Sequence, residues 1–186
     1  MTVNDNFKHW FEGSKAVDLD GKPRVFYHGT ASAGWTVDGQ RMHFESRNGM
    51  GEGAYFTPIA GIASEYAEMD AEVGDGRPAL IPVFLLIKNP KMLHDTIDMQ
   101  AIDPEQRKAW EEEGHDGMFG FYRGELIEVA VWNPLQIKSA FGNGGAYDPT
   151  DPDITDRKAQ AAQHARRYLS TLLDDSPKAT GPRTAP

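Results

Sequence analysis

The chain has no cysteine, so disulfides, thiolate nucleophiles and Cys-bound zinc are excluded outright. No apolar run approaches the ~18 residues that a membrane-spanning helix needs. The opening Met1-Thr2-Val3-Asn4-Asp5 holds no signal-type apolar stretch. A membrane partner is therefore not expected, and a reducing, cytoplasmic setting is compatible. The histidines at 9, 28, 43, 94, 115 and 164 form no His-x-x-x-His pair, so no metal is expected. Basic residues are in deficit, 19 Lys/Arg against 28 Asp/Glu. The deficit is uneven: residues 1–153 carry 13 against 25, whereas residues 154–186 carry 6 against 3. An acidic body argues against non-specific nucleic-acid binding, which rests on phosphate neutralisation. It leaves open a nucleic acid gripped by a local patch.

What is present suffices for one domain: a chain of 186 residues buries about 70% of its unfolded surface. Phe7, Trp10 and Phe11 mark a short helix over Asn6 to Gly13. Strands are expected over Arg24–His28, Ala54–Thr57, Ala79–Ile87, Met118–Tyr122, Leu126–Trp132 and Ile137–Phe141. Residues 31–53 read mostly as loop. Pro58 opens a helix with Ile59, Ile62, Ala63, Tyr66 and Met69 at helical spacing. Asp103-Pro104 caps a second helix running to about Glu113. Asp148 to Asp153 suggests calcium ligation, but its prolines and missing loop glycine favour an ordered turn. A helix over 155–174 and a disordered tail over 175–186 follow. Strands dominating a few helices indicate an α+β domain over residues 1–154.

Three distant pieces carry the candidate chemistry: Tyr27-His28-Gly29-Thr30, Gly53-Ala54-Tyr55-Phe56-Thr57 and Glu128-Val129-Ala130-Val131-Trp132-Asn133-Pro134. Each sets a polar residue beside or inside an apolar strand. Tyr55 and Tyr66, eleven residues apart on a strand and the following helix, are either two core rings or the walls of a slot for a flat heteroaromatic ring. His28 ends a strand before Gly29, whose backbone groups are open to a planar amide; a strand-end His also serves simple structural roles. Glu128 interrupts an apolar run, which is costly unless the carboxylate faces a cleft or finds a partner. A carboxylate in a cleft is also what glycosyl transfer needs.

Together these pieces resemble the catalytic core of ADP-ribosyltransferases of the His-Tyr-Glu class, shared by poly(ADP-ribose) polymerases and diphtheria toxin. Gly51-Glu52-Gly53-Ala54-Tyr55-Phe56 with Tyr66 is the most specific piece. Trp10-Phe11-x-Gly-Ser-Lys and the run from Gln136 to Ile154 are similar to the ADP-ribosyltransferase domains of phage and prophage polyvalent proteins. The resemblance covers about residues 7–154 and implies a split β-sandwich with a few flanking helices and an NAD cleft between the sheets. It implies NAD+ as co-substrate without a metal, and catalytic roles for His28, Tyr55 and Glu128. NAD contacts would come from His28, Gly29, Thr30, Tyr55, Phe56 and Tyr66: Gly29 holds the nicotinamide amide, Tyr55 and Tyr66 sandwich its ring, and His28 bonds ribose hydroxyls. Glu128 binds the 2′-hydroxyl and stabilises the cation left when nicotinamide departs.

Two departures stand out. Ala63 occupies the position where many polymerases carry a helix serine, with Ser64 facing about 100° away. Leu126 replaces the first glutamate of the Glu-x-Glu pattern, and Glu125, three before Glu128, is expected on the other strand face. Mono-ADP-ribosyl transfer to a macromolecule, protein by default and nucleic acid as the alternative, is the expected activity. NAD glycohydrolysis and a non-catalytic NAD- or ADP-ribose-binding module are the other readings. A toxin or phage effector, with action in a host cytoplasm and a cognate antitoxin or immunity protein, is the implied setting. The stretch Gly114 to Ile127, with His115, Asp116, Phe119, Phe121, Tyr122 and Arg123, is expected to face the acceptor.

Overall fold

The computed structural model describes residues 3–31, 53–73, 76–94, 102–141, 143, 145 and 147–155. The expected loop over 31–53 falls almost wholly outside them, as do the C-terminal helix and tail. Helix α1 spans Val3–Phe11, with Asp5 in its first turn and Lys8 and His9 in its last, the charge order that complements the helix dipole. Strands β1 (Phe26–Thr30), β3 (Ala79–Leu85) and β7 (Ile137–Ser139) form one antiparallel sheet in the order β1-β3-β7. Strands β2 (Ala54–Phe56), β6 (Glu125–Val131), β5 (Gly117–Tyr122) and β4 (Pro90–His94) form a second sheet in that order. Helix α2 (Ala60–Val73) follows β2, and α3 (Pro104–Glu112) precedes β5. The expected α+β sandwich of two sheets is the observed fold. Among the described residues no helix is long and apolar enough to cross a membrane.

Several boundaries moved for identifiable reasons. β1 starts two residues late because the Arg24 N–H is drawn to the Ala16 carbonyl, and it runs on through Gly29 and Thr30 because Leu80 and Ala79 pair with them. α2 starts at Ala60 rather than at Pro58 because Thr57 still pairs with Tyr27. β4 was not expected at all. Its sequence, Pro-Lys-Met-Leu-His, lacks β-branched residues, and it becomes a strand only through parallel pairing with β5 at the sheet edge, where an initial proline is tolerated. α3 behaves as its cap signal requires: the Asp103 carboxylate accepts the Gln106 N–H at 2.7 Å.

Two apolar clusters hold the layers. Phe26, Val83, Leu85, Phe56, Val129 and Ile137 fill the space between the sheets, sealed by Trp10 and Phe11 of α1. A smaller cluster of Ile102, Trp110, Met118, Ala130 and Trp132 sits under α3 on the other face of the second sheet. The Gln136 amide ties these parts together. It donates to Leu86 and Asp116 carbonyls at 2.9 and 2.7 Å and accepts the Trp132 and Asn133 N–H groups, so this buried amide is satisfied on both ends. The Asp148–Asp153 run is an ordered turn: Asp148, Asp151 and Asp153 each accept a backbone N–H two residues on.

Candidate active site

The two sheets meet where Tyr27 and Thr57 exchange backbone hydrogen bonds of 2.8 and 3.0 Å. A half-open cleft, about 510 Å³ counting the solvent open to it, lies at that junction. β1 contributes Tyr27, His28 and Gly29, and β2 with the residue after it contributes Tyr55, Phe56 and Thr57. α2 contributes Ile62, Ala63 and Tyr66, and β6 contributes Ile127 and Glu128. Of the seven residues singled out from the sequence, His28, Gly29, Tyr55, Phe56, Tyr66 and Glu128 therefore converge. Thr30 does not line the cleft: it is buried, and its hydroxyl donates to Asp70 at 3.2 Å, beside the Ala31 N–H at 2.7 Å.

Gly29 has two reasons to be glycine. Tyr27 turns its N–H and C=O toward Thr57, and strand alternation turns those of Gly29 the same way, beyond the end of that pairing. A planar amide could meet them there. In addition, a Cβ at Gly29 would lie 1.8 Å from the Ala63 carbonyl oxygen. The α2 backbone thus rests directly on β1, which only glycine permits. Ala63 faces this contact and the cleft.

His28 is fixed by its Nδ1, 2.8 Å from the Tyr55 carbonyl oxygen. A carbonyl only accepts, so Nδ1 carries a proton and points it at β2. Its flank is the Phe56 ring, 5.7 Å away. Tyr55 is held at its far end, where its hydroxyl accepts the Ile102 N–H at 3.1 Å, and it packs against the cluster under α3. One bond at each end of Tyr55 therefore links β1, β2 and the start of α3.

Glu128 reaches the cleft through an irregularity that sequence parity cannot show. Gly120 pairs with Glu128 but Phe121 pairs with Leu126, so Ile127 is an extra residue in β6. Consecutive residues of a regular strand point to opposite faces; the bulge lets both Ile127 and Glu128 border the cleft. It also corrects the expectation for Glu125. Glu125 pairs with Tyr122, two residues from the Gly120 that pairs with Glu128, so parity puts it on the same face as Glu128. It sits at the exposed hairpin end, outside the cleft.

Burial pushes the Glu128 carboxyl up to about 7, and among the described residues no donor holds it. The Tyr66 hydroxyl is raised first by its own burial, then by the Glu128 and Glu65 carboxylates, which places Tyr66 within the electrostatic reach of Glu128. A carboxyl poised near neutrality in an apolar cleft, opposite a histidine and two tyrosines, suits a developing positive charge. The expected acceptor-facing stretch is divided instead. Asp116 accepts the Lys88 and Asn89 N–H groups, His115 meets the Asn89 carbonyl, and Phe119 joins the inter-sheet core. Tyr122 and Arg123 remain at the hairpin tip, with the guanidinium 5.1 Å from the ring centre.

Two sheets opened over such a cleft, on an α+β frame, define the fold class of the ADP-ribosyltransferases. Residues 18–147 match the family described as ADP-ribosyltransferase in polyvalent proteins, and the chain belongs to it. No curated protein matches the chain. ADP-ribosyltransferases take NAD+ as substrate, so the family calls for that donor and an acceptor.

Proposed function

We propose that the protein is a mono-ADP-ribosyltransferase that breaks the nicotinamide–ribose bond of NAD+ and passes ADP-ribose to a macromolecule, with protein as the favoured acceptor. The observation that carries this reading is the convergence of His28, Gly29, Tyr55, Tyr66 and Glu128 on one cleft from four separate elements. The nicotinamide ring lies between Tyr55 and Tyr66, with its amide on the Gly29 N–H and C=O. His28 receives a ribose hydroxyl at Nε2. The glycosidic C–N bond breaks with its electron pair leaving on nicotinamide, and the ribose carbon becomes cationic. The Glu128 carboxylate stabilises that cation and orients the incoming nucleophile, which loses a proton as it bonds. The two-residue turn Arg123-Gly124 between β5 and β6 leaves no long loop beside Glu128 for chain elongation, which supports single transfer. A toxin or phage-effector role for such a transferase is part of the same proposal.

The test is incubation of the protein with NAD+ labelled in the adenylate, in a lysate, followed by protease or nuclease digestion. Nicotinamide release with protease-sensitive label in the macromolecular fraction, both absent in Glu128→Gln, is the expected result. Release without labelled macromolecule would replace transfer by hydrolysis. Binding without release, unchanged in Glu128→Gln, would reduce the protein to a binding module.

A further inference from the structure

The edge of β1 that faces away from β3 is closed by the protein on both sides of Gly29. Tyr27 sits opposite Pro82, which has no N–H to give, and bonds Thr57 instead. By alternation Gly29 and Ala31 turn their backbone groups the same way. The Ala31 N–H donates to the Asp70 carboxylate at 2.7 Å. Beyond it, the Gly76 backbone lies so near the Ala31 carbonyl that a Cβ there would stand 2.1 Å from its oxygen. Between these closures lie the N–H and C=O of Gly29, which none of the described residues takes. Gly29 also borders the cleft, so the edge opens there over a single residue.

Local forces do not put Asp70 where it is. It lies in the last turn of α2, where the helix dipole disfavours an acid, and aspartate is a poor helix former. A residue that breaks local rules is held by its tertiary bonds. Its carboxylate takes both the Thr30 hydroxyl and the Ala31 N–H. Asp70 follows Tyr66 by four residues and Ala67 by three, so it shares their side of the helix. Tyr66 borders the cleft, and the backbone at Ala63 and Ala67 bears on Gly29. Helix α2 is therefore fastened to β1 against Gly29 and again, through Asp70, just beyond it. It cannot slide along the strand without breaking one of these contacts.

We infer that Asp70 is a positioning residue for the donor. It ends the open edge of β1 directly after Gly29 and fixes the reach from the Gly29 backbone to Tyr66, so the slot admits a single planar carboxamide. This rests on the transfer reading above and deepens its account of the donor. Asp70 does not border the cleft, so it acts through Gly29 and Tyr66 rather than by touching NAD+. Only the nicotinamide end of the donor enters the slot, and the ADP-ribose end should not feel the loss of Asp70.

Titration calorimetry with nicotinamide and, separately, with ADP-ribose tests this, at a temperature where urea unfolding shows parent and variant fully folded. Asp70→Ala should weaken nicotinamide binding about tenfold and leave ADP-ribose within about twofold of the parent. Asp70→Asn keeps a side-chain oxygen for the Ala31 N–H and should hold nicotinamide affinity within about threefold of the parent. Should Asp70→Ala fail to fold, Asp70→Ser takes its place with the same expectations, since its hydroxyl ends one bond short of the carboxylate oxygens. Unchanged nicotinamide affinity in the folded variant, an equal loss for ADP-ribose, or no rescue by Asp70→Asn would overturn the inference and leave the transfer reading standing. A parent protein that binds neither nicotinamide nor NAD+ would remove the transfer reading, and this inference with it.

Discussion

Glu128 on β6 and Lys138 on β7 are both charged residues set in apolar strands, and the fold treats them in opposite ways. Lys138 is fully buried, and its ammonium donates to the carbonyls of Asp151 and Asp153. Those bonds fasten the exit turn, with Ile154, onto the first sheet, so the cost of burying the charge is answered locally. Glu128 has only desolvation acting on it. A charge with its partners built in holds structure together, whereas a carboxyl left without them is available to a ligand.

The largest effects should separate the two residues cleanly. Glu128→Gln should lower nicotinamide release by roughly 10²–10³-fold, the size of losing one preorganised electrostatic group, with no loss of folded stability. Lys138→Ala should leave two buried carbonyls unpaired and cost roughly 3 kcal/mol in urea unfolding, with the remaining folded protein still active. If the two phenotypes were exchanged, the comparison would be wrong.

The contrast also has a pH signature. Because the folded Glu128 carboxyl is raised from 4.5 to about 7, the folded state keeps a proton that the unfolded state releases. Its contribution to stability is full below about pH 4.5 and is lost as pH rises through 7, by roughly 3 kcal/mol. Glu128→Gln should lack that slope and be the more stable protein at pH 8. The parent's rate of nicotinamide release at low NAD+ should rise through about pH 7, as the carboxylate forms. A flat profile over pH 5–8 would sink the assigned role.

Smaller effects sharpen how the cleft is held. Gly29→Ala should push α2 off β1, seen as a fall of roughly 2 kcal/mol in stability together with weaker NAD+ binding; an unchanged protein would refute the close contact. Tyr55→Ala should weaken NAD+ binding about tenfold by calorimetry. Tyr55→Phe should keep most affinity but lose about 1 kcal/mol of stability, since the buried Ile102 N–H then has no acceptor.

Much of this site was legible before any coordinates. Tyr27-His28-Gly29, Gly53 to Phe56 with Tyr66, and the Glu128 strand each show their local form through aromatic and β-branched runs and a helical repeat. Thr30 lies off the cleft, and nothing local reveals that Asp70, forty residues away, takes its hydroxyl. β4 was hidden because its pairing with β5 creates it. Ile127 and the face of Glu125 were hidden because a bulge is a property of two strands, not one. The close approach of Ala63 to Gly29 is likewise a fact of packing.

The sequence by itself determined the local elements and set one His, two Tyr and one Glu on separate apolar ones, because hydrophobic periodicity and residue type are written along the chain; its resemblance to the ADP-ribosyltransferases, not the periodicity, supplied the class of chemistry. Only the tertiary structure decided that these elements meet at the Tyr27–Thr57 junction and that Glu128 turns into the cleft with a raised affinity for its proton. Those depend on register, desolvation and the contact of residues far apart in sequence, and each arises only when the two sheets close on one another.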